Sequence, residues 1–147
     1  MVREVSMRVT DLFGCPLTLS GGEASASWSA TALAFLAHGD ATAGHLADTL
    51  TRDPDFALGH AARGLFCLLL AKREMVAPAR EALACARAAA ARTGASARET
   101  AYVEALADWL DGRPSAAADR LDRVLRDHPT DALALKLVHQ IRFMLGD

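Results

Sequence analysis

Beyond residue 20, apolar positions recur at three- and four-residue spacings, and capping residues, glycines and prolines interrupt them at regular intervals. That pattern predicts helices joined by short turns. Ser20-Gly21-Gly22-Glu23 has the form of a capping box and opens a first helix carrying Trp28, Leu33 and Leu36, which Gly39-Asp40 stops. A short second helix spans about 41–52, with Leu46 and Leu50 one turn apart. Asp53-Pro54-Asp55 ends it and caps a third, about 55–71, which buries Leu58, Ala61, Ala62, Leu65 and Leu69. Gly59 and Gly64 within that run each cost about 1 kcal/mol against alanine, which predicts a close helix approach there. Pro78 suits the first position of a fourth helix, and Gly94 its left-handed C-cap. Ser96-Ala97-Arg98-Glu99 is a second capping box, starting a helix with Tyr102, Leu106, Trp109 and Leu110 that stops at Asp111-Gly112. Pro114 opens a sixth helix, with Leu121, Val124 and Leu125, and Asp131 caps a seventh that runs to Leu145-Gly146.

The sequence therefore predicts an all-α domain of about seven helices over residues 20–147. Residues 1–19 differ: Val5, Met7 and Val9 alternate and Pro16 bars a helix, which predicts an extended arm or short irregular lead-in.

The turn chemistry repeats. Asp53-Pro54-Asp55-Phe56-Ala57-Leu58 and His128-Pro129-Thr130-Asp131-Ala132-Leu133 each close one helix and cap the next, and their prolines stand 75 residues apart. That is two units of about 37 residues, each divided by a turn into a helix pair, the period of a tetratricopeptide-type solenoid. Three pairs and one unpaired C-terminal helix result. Trp28 stands eleven residues before Gly39, as the repeat's tryptophan stands before its turn glycine. Phe35 takes the place of the repeat's tyrosine and Gly64 that of the second unit's glycine, while the second helix is about half a turn short.

Three segments carry a narrower likeness: Asp11-Leu12-Phe13-Gly14-Cys15-Pro16-Leu17-Thr18, the short helix before Asp53-Pro54-Asp55-Phe56-Ala57-Leu58-Gly59-His60-Ala61, and the stretch from Leu137 to Asp147. In order and spacing they resemble the tetratricopeptide repeat protein 38 family, from about Asp11 to the last residue. Members of that family are longer, with further helix pairs after the equivalent of Gly146-Asp147. The resemblance implies a right-handed stack of antiparallel helix pairs and says little about function.

The last predicted helix carries Leu133, Leu137, Ile141, Met144 and Leu145 on one stripe, with Leu135, Val138 and Phe143 away from it. A helix apolar on most sides is buried on most sides, and solenoid ends normally carry a polar cap. Leaving three such side chains wet forgoes roughly 5 kcal/mol. A homodimer through Leu135, Val138, Ile141, Phe143 and Met144 is the economical closure.

Composition narrows the function. Over 147 residues the net charge is -2, which lacks the basic footprint of a general nucleic-acid binder. Roughly a fifth of the residues are alanine, which reinforces the helical reading. Cys15, Cys67 and Cys85 form no C-x-x-C, so neither a disulfide framework nor a zinc site is expected, and Cys67 is read as a small core hydrophobe. With no apolar leader segment and no stretch near 20 apolar residues, the expectation is a soluble, cytoplasmic protein without membrane contact.

Candidate chemistry is sparse. His60 and His139 are either a polar pair in a groove, as ligand contacts or general bases, or two histidines packed beside helix neighbours. Glu104, Asp108 and Asp111 share a helix face that Arg98, Arg113 and Arg120 lie near enough to neutralise. Arg80, Arg87 and Arg92 make a solubilising stripe. No nucleophile elbow or phosphate-binding glycine loop occurs, and no catalytic residue, cofactor or metal is assigned. The repeat's groove-facing offsets select Leu58, Leu65, Tyr102 and Trp109, then Lys136, Gln140 and Phe143, with His60 and His139 beside them. Either such a surface takes a protein or peptide partner, or the same residues are core contacts between neighbouring helix pairs. The leading expectation is a non-catalytic interaction scaffold. The alternatives are an enzyme or small-molecule binder with a histidine and acidic groove completed by a dimer, or an accessory subunit of a separate enzyme.

Overall fold

In the computed structural model, which describes residues 9–19 and 21–146, the predicted run of helices is present. A two-stranded antiparallel ribbon, β1 (Val9–Thr10) and β2 (Pro16–Leu17), precedes seven α-helices among the described residues. These are α1 (Gly22–Leu36), α2 (Thr42–Arg52), α3 (Ala57–Leu69), α4 (Val76–Thr93), α5 (Ala97–Leu110), α6 (Pro114–Asp127) and α7 (Ala132–Met144). The fold is all-α. Neighbours in sequence pack in pairs, α1 on α2, α3 on α4 and α5 on α6, while α7 lies along α6. Helix α3 also meets α5, and α7 returns to touch α1, so the first and last helices are in contact.

Capping departs from expectation at several ends. Ser20 lies outside the described residues; the N-cap of α1 is Gly21, which makes no side-chain cap, and Glu23 pairs with Arg52 at 2.5 Å. The N-cap of α3 is Phe56, while the Asp53 carboxylate accepts from the Asp55 N–H and Asp55 pairs with Arg92. Pro78 is the third residue of α4, after a single 3-10 turn at Arg73–Met75, a position where the helix's own N–H groups still lack partners. Gly94 has φ +81° but ψ 167°, so α4 ends in an extended glycine and not a left-handed one. By contrast, the Ser96–Glu99 box, Pro114 at the start of α6 and the Asp131 cap of α7 all form as predicted.

Helix α1 ends one residue earlier than its glycine suggests. His38 takes the left-handed conformation, φ +56°, the Gly39 N–H returns to the Ala34 carbonyl, and the His38 N–H returns to Phe35. That is the double bond of a Schellman motif with histidine where glycine is usual.

The core runs through all seven helices. Trp28 meets the edge of Phe56 at 5.2 Å, and Leu58, Leu65, Leu106, Leu121 and Leu137 are fully buried around them. A Cβ at Gly64 would strike both methyl branches of Leu106, so α3 and α5 approach across that glycine, as the sequence predicts. Gly59 likewise faces Phe56 and Leu50 at 2.8 and 2.9 Å.

Candidate functional site

The two faces of α7 divide its apolar residues. Leu133, Leu137, Val138 and Ile141 point into the core, at most 2% exposed. Ala132, Leu135, Lys136, His139, Gln140 and Phe143 follow one another at three- and four-residue spacings along a second face. With Met144, Leu36 and His38 from the end of α1, and Leu69 from the end of α3, they line an open groove of about 720 Å³. Phe143 stands at its lip, 82% exposed, with Leu135, Met144 and Leu145 also exposed.

This arrangement corrects several expectations. Leu58, Leu65 and Tyr102 are at 0% exposure and belong to the core, and Trp109 is half-buried against it. The α3–α5 contact and the return of α7 onto α1 cover the positions that a wide, open concave face would expose. Val138 and Ile141 are likewise core residues and unavailable to a partner; Leu135, Phe143 and Met144 are exposed. Met144 and Leu145, on the stripe that the sequence predicts to be buried, are exposed where α7 ends.

The two histidines are not brought together. His60 Nε2 lies 2.7 Å from the Pro54 carbonyl at the start of α3, and its Nδ1 is buried without a partner. Leu69, which shares the groove with His139, lies nine residues further along α3, about 13 Å at the helical rise.

Lys136 is the polar centre of the groove. Its ammonium donates to the Phe35 carbonyl, lies 3.4 Å from His38 Nδ1 and sits 4.5 Å from the centre of the Phe35 ring, which itself stacks on Phe66. Partial burial lowers the Lys136 pKa. Among the described residues no carboxylate lines the groove.

The acidic row on α5 is neutralised. Glu104 meets Arg87 at 3.7 Å, Asp108 accepts from Arg120 at 2.8 Å, and Asp111 meets Arg113 at 3.6 Å. The Asp108 hydrogen bond raises the Arg120 pKa. Among the described residues no cluster of histidine, cysteine and acidic groups is arranged to hold a metal. Cys67 is half-buried, and burial raises its thiol pKa against the pull of Arg63.

Arg98 does not join that row. It is buried, with Nε 2.8 Å from Asp131 and one terminal nitrogen 3.2 Å from Asp11, while the Tyr102 hydroxyl donates to Asp131. Next to it, Glu99 accepts from the Thr18 hydroxyl and N–H, and the Thr130 hydroxyl donates to the Phe13 carbonyl. The arm is thereby clasped to α5 and to the turn before α7. Sequence reading missed this cluster because Arg98 lies 87 residues from Asp11 and 33 from Asp131. The one local signal is Asp131 as a helix cap.

No helix among the described residues is long and apolar enough to cross a membrane. In comparisons with known proteins, no protein-family model and no solved structure matches the chain.

Proposed function

We propose that this chain is a non-catalytic protein-protein interaction scaffold, a tetratricopeptide-like stack of helix pairs related to the tetratricopeptide repeat protein 38 family. In this reading it works in the cytoplasm and associates with a second copy through the exposed end of α7. The observation that carries the reading is the apolar tip Phe143-Met144-Leu145, at 82%, 44% and 41% exposure, beside an exposed Leu135. Monomeric proteins seldom leave clustered large apolar side chains in water. A two-fold contact covers the same patch on both copies at once. The neutralised acids on α5 and the separated histidines favour a binding role over a catalytic one.

Light scattering over a concentration series tests it. The expected result is a dimer mass for the natural chain and a monomer mass for Leu145→Asp and Phe143→Asp, each retaining the parent helical content. A monomer at all concentrations overturns self-association. Ile141→Asp is no substitute, because Ile141 lies in the core.

A further inference from the structure

The groove beside α7 has one polar pole in an otherwise apolar wall. Lys136, His139 and Gln140 occupy a single helical turn, His38 faces Lys136 from the end of α1, and Leu36, Leu69 and Leu135 supply apolar surface beside them. An ammonium carries three donors. Lys136 directs one to the Phe35 carbonyl and lies within reach of His38 Nδ1, which leaves a third uncommitted.

Like Lys72 and Arg63, it joins no ion pair among the described residues. Seven arginines among the described residues pair with carboxylates, at distances from 2.5 to 3.7 Å. Lys136 pairs with none of the described carboxylates, although acidic residues outnumber basic ones, 18 to 16. The backbone points the same way. His38 adopts the left-handed region beside Gly39, which would occupy it without cost, and the turn so formed puts the imidazole on the groove wall.

We propose that this groove binds a small amphiphilic carboxylate: an apolar chain ending in a single carboxylate. The head group takes the free donor of Lys136, with His38 and Gln140 beside it, and the chain lies along Leu36, Leu69 and Leu135. The groove is open, and its mostly apolar wall with a few convergent polar groups suits a ligand with one polar end. A cationic head group would meet no counter-charge among the described lining residues. A phosphate would find no arginine fork, and the N-terminus of α7 at Ala132 is already capped by the Asp131 carboxylate. A partner helix would favour charges spread along the groove, and here they occupy one turn. The groove shares Leu135, Phe143 and Met144 with the self-association patch, but its polar pole shares no residue with it, and Leu145 lies outside its lining, so the proposal does not rest on self-association.

The test uses three ten-carbon probes that differ only in head group: decanoate, decanol and decyltrimethylammonium. Each is titrated by calorimetry below its aggregation concentration into the full chain and into Lys136→Met, Lys136→Arg and Leu145→Asp. Decanoate is expected to bind about tenfold more tightly than decanol, the range of a charge-assisted hydrogen bond. Lys136→Met should abolish that preference and Lys136→Arg keep it, with thermal melts confirming that both remain folded. Leu145→Asp should bind decanoate like the natural chain, so a failed dimer leaves this result readable. Equal binding of decanoate and decanol, tighter binding of the ammonium probe, no saturable binding, or a preference that survives Lys136→Met each overturns the proposal. A change of molecular mass in Lys136→Met alone would put a second copy in the groove and overturn it as well.

Discussion

The guanidinium of Arg98 stands between Asp131, 2.8 Å from its Nε, and Asp11, 3.2 Å from a terminal nitrogen, with all three side chains at most 4% exposed. One cation on α5 thus joins the N-terminal arm to the cap of the last helix. Burial alone disfavours a charged Arg98, but the Asp131 hydrogen bond and the surrounding negative charge outweigh it, and its pKa lies above the ordinary value.

Removing that cation strands two buried carboxylates. Arg98→Met is expected to lose about 3–5 kcal/mol of unfolding free energy, since an unpaired buried charge costs far more than an intact pair contributes. Asp11→Asn should cost less, because Asp131 still compensates Arg98. Urea denaturation of the three proteins checks the order; equal midpoints for Arg98→Met and the natural chain would exclude a structural role for the cluster.

Tyr102 makes the same cluster sensitive to alkali. Burial first, and then the charge of Asp131, raises its pKa well above the ordinary phenol value, against the lowering effect of Arg98. A group whose folded pKa is raised stabilises the fold below its unfolded pKa, and that stability is lost as pH rises above it. Stability should therefore fall above about pH 10, where the unfolded phenol ionises. Tyr102 is the chain's one tyrosine, so tyrosinate absorbance follows this group alone. The absorbance and the loss of helical signal are expected to rise together. Ionisation well before unfolding would contradict the burial, and Tyr102→Phe should flatten the alkaline loss.

How much of this was legible beforehand depends on sequence separation. Helix count, the Ser96–Glu99 box, the Pro114 start and the Asp131 cap follow from neighbours within four residues, and the sequence states them directly. The close pass at Gly64 is half legible: the glycine announces it, but Leu106 as the other side comes only from the fold. The candidate groove is less so. The repeat's offsets select Lys136, Gln140 and Phe143 with His139 beside them, whereas Leu36, His38 and Leu69 join them only because α7 returns to the ends of α1 and α3. For the same reason the sequence leaves Leu58, Leu65 and Tyr102 open between groove and core, since periodicity gives a helix an apolar face without saying which neighbour covers it, and the fold buries all three.

The α3–α5 contact makes its own prediction. Gly64→Ala gains about 1 kcal/mol of helix propensity, yet the new methyl meets Leu106 Cδ1 at 2.9 Å and Cγ at 3.2 Å, with the other branch closer still. Leu106 is fully buried, so its side chain must shift within the packed core to make room. Overpacking costs about 1–3 kcal/mol, so a net loss is expected. The double variant Gly64→Ala, Leu106→Val should be less destabilised than the two single effects summed. Additive losses in a thermal-melt cycle would show that the helices do not meet there.

Thiol chemistry reports whether the arm is seated. Cys15 lies in the arm at 2% exposure, its backbone N–H bound by the Asp11 carboxylate at 2.9 Å, and burial raises its thiol pKa against the opposing charge of Arg98. Cys67 and Cys85 are half-buried on α3 and α4. Because the thiolate is the reactive form, a buried thiol with a raised pKa reacts slowly. An aromatic disulfide reagent should therefore label Cys67 and Cys85 first and Cys15 last. In Asp11→Asn the clasp loses its contact with Arg98 and its charged hold on the Cys15 turn. Cys15 should then react at least several-fold faster, with Cys67 and Cys85 unchanged. Peptide mapping of the labelled protein separates the three sites. If Cys15 speeds up together with the other two, the whole fold has loosened; if its rate does not move, the carboxylate of Asp11 is not what holds the arm down.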